Sequence, residues 1–329
     1  MLTLGCTGEK SADKPATRAF TDSLGRTVEL PVTIEKIAPT GSGAFLALAP
    51  LAPEKIAGLP SPLNEVEQKF LGEALSQKPV IGHFYGTHNF NKEVVATLGP
   101  DVIIDVGSVK PKSAGDMAKI QADTGIATIY LNGDFKDIAA TYEILGELLG
   151  KQERAAELAA YIMHLNALQQ QLMAKVQKKS VLWVTDTAKL AIVPEGSPHS
   201  LLINEMADNV AKDLKLGQRA VAEVSSEQLL LWQPEVILVN AGGNLAGGIW
   251  TNLAAVNNHE VYTIPETPFS WLGSPPSVNR FLGMLWLGKV LYPEQAEYNL
   301  EQEVKEYYRI FYHYELSSEE YRSIVGMEL

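Results

Sequence analysis

The sequence predicts an α/β protein with two Rossmann-like lobes of mainly parallel sheet, joined by a single long α-helix. Three observations predict this fold class. A helix–turn–strand unit occurs twice, strand and helix signals alternate in both halves, and a stretch between the two copies contains neither Gly nor Pro. The expected domains are a flexible tail at residues 1–19, a first lobe at 20–150, a connecting helix at 151–178 and a second lobe at 179–329.

Bulk composition fits a two-domain globular protein. The chain has 329 residues, of which 46% are hydrophobic and 20% charged, as in ordinary globular proteins with sizeable cores. No apolar run reaches the length of a membrane span. The net charge of −12, with 27 Lys and Arg against 39 Asp and Glu, argues against a nucleic-acid partner, since binding phosphates requires a basic face.

The single cysteine, Cys6, excludes a disulfide framework and a cysteine metal cluster. The segment before Cys6 is similar to the end of a bacterial lipoprotein signal, in which a small residue such as Gly5 precedes a cysteine that becomes lipid-modified. Thr3 stands where Leu is usual, and the five residues before Cys6 are too few for a charged region plus an apolar region. Cys6 is therefore a candidate lipidation site, with a truncated start and an accidental match as the alternatives.

The repeated unit keeps one offset throughout. Glu93 and Glu227 are 134 residues apart, and so are Pro100 and Pro234. In each copy the Glu lies in the first turn of an apolar helix, the Pro precedes an acid, and a strand follows. Acids in a first turn are common in α/β proteins because the helix dipole favours them. The shared offset nevertheless favours two related lobes.

Caps and strands support the same interpretation. Asn91 and Ser225 each stand two residues before the Glu, and their side chains can accept the free amides of a first helical turn. Residues 102–104 and 236–238 are continuous apolar runs after a Pro and an acid, which is typical of strands buried on both faces.

The other elements follow in chain order. A hairpin is expected at 20–31, with its turn at 24–25. Strands are expected at 36–38, 55–58, 79–81, 102–105, 127–130, 181–184, 190–193, 236–239 and 261–264, and helices at 44–49, 137–149, from 201, and from about 280 through 290. Strands that alternate with helices at this spacing indicate parallel βαβ units.

The stretch from residue 151 to about 177 predicts one long helix. Its apolar residues recur at spacings of three and four, which is the period of one helix face. At 1.5 Å per residue this helix would be roughly 40 Å long, the span of a domain. The stripe fits a surface helix of one domain and also a rigid connection between two lobes.

Enzyme motifs are mostly missing. The chain has no Walker loop, no His-Glu-x-x-His and no Gly-x-Ser-x-Gly elbow. Gly41 and Gly43 lie between a strand and a helix, but no third glycine completes a dinucleotide fingerprint. The sequence therefore favours binding without turnover, with no cofactor.

Loops that follow strands are the predicted binding site, because open parallel sheets bind ligands at their carboxyl edge. These loops supply the candidate ligand-binding residues Ser42, His83, Tyr85, Gly107, Lys110, His199, Asn240, Trp271, Ser274, Ser277 and Arg280. Ser274 to Ser277 form a strong helix start whose free amides attract anions. Arg280 either adds a charge for a ligand or makes a structural ion pair.

Three histidines of the six lie in these loops: His83, His88 and His199. Each could ligate a metal, hydrogen-bond a ligand or simply be exposed. Without a cysteine partner or tight spacing, direct metal coordination is the less favoured of these, and no metal site is predicted.

Taken together, these residues resemble the substrate-binding proteins of iron-siderophore, haem and cobalamin ABC importers, the helical-backbone class III of periplasmic binding proteins. The resemblance covers nearly the whole chain from about Phe20. It depends on the opening segment 21–31 with 34–37, on both copies of the repeat, and on Trp271 to Pro293, which is similar to a subset of these proteins.

The resemblance implies a ligand held between two lobes joined by one long helix. It also implies that a Glu on each lobe docks on arginines of the membrane permease, and the motif places this role on Glu93 and Glu227. The expected protein is a monomer on the outer side of the cytoplasmic membrane. Its partners would be a permease with its ATPase and a small-molecule ligand, with membrane contact only through a lipid on Cys6.

The expected ligand is an iron complex, a siderophore or a haem-like chelate. Such a chelate or cobalamin would use Phe84, Tyr85, Trp250 and Trp271 as flat walls. Molybdate or tungstate is the alternative and would favour Ser42, Ser274, Ser277 and helix amides. A different class, a two-lobed metallocluster or chelatase-type enzyme domain, uses related folds, but the lone cysteine counts against a cluster.

Overall fold

The computed structural model describes residues 16–86, 88–217, 220–273 and 275–326. No helix within them is long and apolar enough to cross a membrane. The strands are β1 Thr17–Thr21, β2 Thr27–Pro31, β3 Ile37–Pro39, β4 Val102–Gly107, β5 Thr128–Asn132, β6 Ser180–Asp186, β7 Ala191–Ile192, β8 Asp208–Asn209, β9 Ala222–Glu223, β10 Val236–Val239 and β11 Val261–Thr263. The helices are α1 Ser42–Leu48, α2 Glu65–Leu71, α3 Glu73–Ser76, α4 Lys92–Leu98, α5 Ser113–Thr124, α6 Ile138–Leu149, α7 Gln152–Met173, α8 Leu201–Met206, α9 Ser226–Trp232, α10 Ala254–Asn257, α11 Arg280–Leu291, α12 Leu300–Tyr312 and α13 Ser318–Val325.

The first lobe is built on the parallel sheet β3-β4-β5. The predicted hairpin is the antiparallel pair β1-β2, and β1 begins at Thr17, inside the segment 1–19 expected to be a tail. Residues 55–58 and 79–81 were expected to be strands. They instead contribute single parallel bridges, Ile37 to Ile56 and Leu59 to Val80, and Lys55 is the last residue of a 3₁₀ turn, Pro53–Lys55, which cannot pair as a strand.

The second lobe is built on a mixed sheet in the order β11-β10-β6-β7-β9, with β8 also paired to β6. β6, β8, β10 and β11 pair in parallel, as predicted, whereas β7 runs antiparallel to β6 and to β9. Only four residues, 187–190, separate β6 from β7, and a connection that short joins antiparallel strands. The α/β class with two lobes is thus confirmed, with an antiparallel edge on the second sheet.

The repeat corresponds to one local structure in both lobes. Val102 and Ile104 of β4 face the large core that runs through both lobes, and so do Val236 and Leu238, 134 residues later. The residues between them, Ile103 and Ile237, face the smaller cores on the opposite sides of the two sheets. Both strands are buried on both faces, as their continuous apolar runs predict.

The acid after each repeated proline anchors the neighbouring strand. Asp101 Oδ2 accepts hydrogen bonds from the amides of Glu35 and Lys36 at 2.7 and 2.8 Å, just before β3. Glu235 Oε2 accepts the amide of Ser180 at 2.8 Å, at the start of β6. A carboxylate that accepts backbone amides makes charge-assisted bonds, so this acid fixes the register of the two parallel strands.

The predicted long helix is α7, which packs against α6 of the first lobe and against α11 and α12. Gly146 permits the tight α6–α7 contact, because a Cβ at this position would lie 2.5 Å from the Cβ of Ala155. The last two helices return to the first lobe: Phe70 of α2 packs edge-on against Tyr308 and Tyr314, with ring centroids 5.3 and 4.7 Å away. The first lobe therefore packs against the C-terminal segment in addition to its chain connection through α7.

Candidate functional site between the lobes

The loops after β4 and β5 meet at the carboxyl edge of the first sheet. The amide of Gly133 donates to the carbonyl of Gly107 at 2.8 Å. A Cβ on Gly133 would lie 2.6 Å from the amide nitrogen of Gly107, so position 133 accepts only glycine without a backbone shift. The two loops thereby form one rigid floor, as expected of the edge where parallel sheets bind ligands.

A small cavity of about 80 Å³ lies where this floor meets the start of α11. Its lining comes from both lobes. The first lobe contributes Gly43, Ala47, Val106, Gly107, Ser108, Gly133, Phe135 and Ile138, and the second contributes Pro276, Ser277, Val278, Arg280 and Phe281. Three predicted residues, Gly107, Ser277 and Arg280, are therefore brought together. The volume corresponds to about three water molecules, so the cavity fits one small polyatomic group.

Arg280 supplies the charge of this cavity. Its Nε donates to the carbonyl of Leu272 at 3.3 Å, and its Nη2 donates to the carbonyl of Pro198. Among the residues that the structure describes, no carboxylate lies within ion-pair distance of Arg280. Burial lowers the pKa of the Arg280 guanidinium to about 10, against the opposing effect of Glu205, and the group stays charged at neutral pH. A partly buried cation without a paired anion is costly, and an anionic group placed beside it would offset that cost.

A second, larger cavity of about 1130 Å³ opens over the carboxyl edge of the second sheet. His199 and Asn240, both predicted, line it together with Trp183, Asp186 and Lys189. Asn240 Oδ1 accepts a hydrogen bond from Trp183 Nε1 at 2.8 Å, which fixes the amide of Asn240. The volume is that of a site for a ligand of drug size or larger.

His199 lines the large cavity and is bonded to a loop that borders Arg280. Its Nδ1 is bonded to the carbonyl of Gly273, and because a carbonyl only accepts, Nδ1 carries the proton. A Cβ on Gly273 would lie 3.1 Å from Arg280 Nη2, so the loop that holds His199 also borders the arginine.

The remaining first-lobe candidates form a polar cluster on the other face of β4. Lys110 Nζ lies 5.2 Å from the ring centroid of Tyr85, a cation–π distance. Thr40 Oγ1 donates to the buried Asp105 at 2.5 Å. Burial raises the pKa of Asp105 to about 6, and the hydrogen bond from Thr40 opposes this rise. Tyr85 and Lys110 line neither cavity described above.

The other predicted polar residues are placed as follows. Ser42 is the first residue of α1, next to the cavity residue Gly43. His83 Nε2 is bonded to Ser61 Oγ at 2.9 Å, and burial lowers the pKa of His83. His88 Nδ1 donates to the carbonyl of Phe84 at 2.9 Å. Within the described ranges no three His, Cys, Asp or Glu side chains are grouped to hold a metal ion.

The two tryptophans expected as walls are core residues. Trp271 is 0% exposed, and its Nε1 donates to the carbonyl of Thr267 at 2.9 Å. Trp250 is 4% exposed, and its Nε1 donates to the carbonyl of Thr187 at 3.2 Å. Neither ring lines a cavity described above, because both are buried in the core. Each buried indole N–H is satisfied by a backbone carbonyl. Ser274 and Cys6 lie outside the described residues.

Glu93 and Glu227 are exposed and equivalent. They lie in the first turns of α4 and α9, whose N-caps Asn91 and Ser225 accept the amides of Val94 and Gln228 at 3.0 and 3.2 Å. Hydrogen bonds from its own backbone amide and from Ser225 lower the pKa of Glu227. Neither carboxylate has an ion-pair partner among the described residues, so both are free to meet cations of another protein.

Sequence reasoning missed the loop 133–135 and Trp183. The loop follows β5 and obeys the same carboxyl-edge rule as the predicted ones, so the signal was present. Trp183 is one residue of an apolar strand, and sequence alone does not show which strand residues border a cleft.

Two further cavities lie away from the cleft. One of about 760 Å³ between α7 and α12 is lined by charged side chains that pair with one another, such as His164 with Glu303 at 3.0 Å and Lys305 with Glu301 at 2.7 Å. The other, of about 610 Å³, lies against Phe70 and Tyr314. Neither cavity is lined by Arg280 or by another of the predicted ligand-binding residues.

Comparisons with known proteins agree with this architecture. A family profile described as "Periplasmic binding protein" matches residues 62–268. An ABC transporter solute-binding protein from Sulfurospirillum deleyianum is 28% identical, with a TM-score of 0.86 and coverage of 94% of this chain and 99% of that one. A periplasmic solute-binding protein from Veillonella parvula is 26% identical, with a TM-score of 0.76 and coverage of 94% and 97%.

A third structure shows the fold alone. The molybdate periplasmic binding protein MolA of Haemophilus influenzae is 23% identical, with a TM-score of 0.69 and coverage of 91% of this chain and 99% of that one. The comparison with curated protein sequences found no match. The family match over most of the chain and the shared two-lobed fold lead to one conclusion: this chain belongs to the class III periplasmic binding proteins of ABC transporters.

Proposed function

We propose that the protein captures an anionic metal chelate, an iron complex, between its lobes and delivers it to an ABC permease. Arg280 carries this proposal. It is a partly buried guanidinium with no anionic partner among the described residues, and it lines the small cavity. Its Nη2 donates to the carbonyl of Pro198, the residue before His199, which lines the large cavity. An anionic ligand would supply the missing charge, since charge-assisted hydrogen bonds are the strongest available there.

The two cavities together favour a chelate. The large cavity has the volume of a site for a sizeable ligand, and the small one accepts a single charged group such as a carboxylate. The large cavity is lined by charged and polar side chains, among them Asp186, Lys189 and Asn240, as well as by Trp183 and aliphatic residues, whereas the two tryptophans expected to stack on a macrocycle, Trp250 and Trp271, are core residues. A polar chelate therefore suits this cleft better than haem or cobalamin.

A free oxyanion is the second candidate, favoured by the 80 Å³ cavity alone. Molybdate or tungstate would occupy that cavity, with Arg280 as its cation and Ser277 and the start of α11 as donors. The Haemophilus influenzae neighbour binds molybdate, although its likeness to this chain extends to the fold only.

Docking would use the repeated glutamates. Glu93 and Glu227 are exposed at equivalent places of the two lobes, so a permease with arginines at matching positions could contact both at once. Arginine is suited to this because its planar fork meets a carboxylate in bidentate fashion.

Elemental analysis and absorbance spectroscopy of protein purified from its native host test the ligand. Iron with a visible chelate band supports the iron complex, whereas molybdenum or tungsten without a chromophore supports the oxyanion. Protein stripped of ligand should bind ferric citrate or molybdate in calorimetry with an affinity that falls as salt rises. Binding of neither anion, together with a neutral or cationic native ligand, would overturn the proposal.

A further inference from the structure

Phe135 lines the small cavity on the first-lobe side. It lies in the loop between β5 and α6, and its ring stacks on Phe281 of α11 with centroids 4.3 Å apart and planes at 21°. Phe281 is fully buried, so it provides a fixed surface for the stack. Both rings line the cavity that Arg280 also lines. The apolar boundary of the anion site is therefore an aromatic pair, with one ring from each side of the junction.

The loop that carries Phe135 has little freedom to move outward. Gly133 is in backbone contact with Gly107, as described above, and the amide of Asp134 donates to Asn132 Oδ1 at 3.0 Å. The next residue, Lys136, pairs across the junction with Glu205 of α8 at 3.6 Å. Contacts before and after Phe135 thus hold its ring over the cavity.

We propose that Phe135 is a specificity-determining residue that limits the size of the anionic group accepted beside Arg280. The inference rests on the proposed binding of an anion in the cleft. A cavity of about 80 Å³ admits a carboxylate or a tetrahedral oxyanion, and a larger substituent on that group would meet the ring of Phe135. The ring excludes such substituents because its stacking partner and its loop are both fixed.

The test replaces Phe135 by a smaller residue and asks whether an anion with a phenyl substituent then binds. In the variant Phe135→Ala, the vacated apolar space next to Arg280 should accept the benzene ring of phenylphosphonate, as apolar cavities left by core truncation do for benzene. We expect the affinity for phenylphosphonate relative to molybdate, measured by calorimetry, to rise at least tenfold over that of the wild type. Phe135→Leu should give an intermediate ratio and keep the packing against Phe281.

The matched control is Phe90→Ala, which removes a partly buried ring of the first lobe that packs on Phe84, away from the cavity. It should leave the ratio unchanged. If the wild type binds molybdate and the ratio is the same in folded Phe135→Ala or Phe135→Leu protein, the role of Phe135 is refuted while the anion site stands. If the wild type binds none of molybdate, phenylphosphonate and ferric citrate, the proposed anion site itself fails, and this inference fails with it.

Discussion

Replacement of Arg280 by glutamine is the most direct test of the cleft. Among the described residues, Arg280 is the one cation that lines the small cavity, and its Nε and Nη2 are already held by the carbonyls of Leu272 and Pro198. A hydrogen bond to a charged group contributes about 1.5–3 kcal/mol. Loss of one such contact should weaken binding of an anion by about 10- to 150-fold.

Arg280→Lys separates charge from geometry. Lysine keeps a positive charge, but it lacks the planar guanidinium group of arginine, which can bond two carbonyls and face the cavity at the same time. We therefore expect an affinity between those of the wild type and Arg280→Gln. The assay is calorimetry with ferric citrate and molybdate, backed by thermal melts, in which ligand at 100 times its Kd stabilises the wild type by about 2.7 kcal/mol.

The control is Arg309→Gln, which removes an arginine on α12 that pairs with Glu157 at 3.1 Å and Glu306 at 2.7 Å, away from the cleft. It should bind both anions like the wild type. Unchanged anion affinity in folded Arg280→Gln protein would refute the assignment of the charge site. A melting temperature that rises with ligand as in the wild type would do the same.

Two further predictions concern docking and pH. The double variant Glu93→Lys and Glu227→Lys should abolish uptake while its ligand affinity stays intact. The control is Glu153→Lys, which reverses another exposed acid in a first helical turn and should leave uptake unchanged. Normal uptake by the double variant would exclude the docking role. Since burial raises the pKa of Asp105 to about 6, the folded state keeps a proton that the unfolded state releases near pH 4. The contribution of Asp105 to the free energy of unfolding should therefore fall by up to about 3 kcal/mol between pH 4 and pH 7. In urea unfolding, Asp105→Asn should lack this pH-dependent fall. Equal pH profiles of stability for the wild type and Asp105→Asn would contradict the raised pKa of Asp105.

Much of the fold could be predicted because its signals are local. The caps Asn91 and Ser225 and the apolar runs after Pro100 and Pro234 each determine an element without reference to distant residues. The antiparallel direction of β7 was harder to predict. It depends on the short connection from β6 to β7, but the strand signal of β7 is weak, so its direction is visible only once its pairing with β6 is known.

The candidate site could be predicted only in part, because it depends on tertiary contacts. The carboxyl-edge rule located Gly107, His199 and Asn240 in loops that border the cavities. Residue type alone does not distinguish a core tryptophan such as Trp271 from a cavity residue such as Trp183. The stack of Phe135 on Phe281 joins residues far apart in sequence, and no periodicity records such a contact.

The two lobes are equivalent in some features and different in others, and this division matches the two tasks proposed for the protein, docking on a permease and binding an anion. Glu93 and Glu227 have equivalent positions, and Asp101 and Glu235 anchor neighbouring strands in the same way. The cleft has no such equivalence, because glycine backbone on the first lobe faces Arg280 on the other side. A surface that docks on two similar permease sites requires similar lobes, whereas one asymmetric anion requires unlike walls. Changes in ligand specificity can therefore accumulate in the cleft loops without altering the repeated unit, so related proteins with other ligands can keep the same docking geometry.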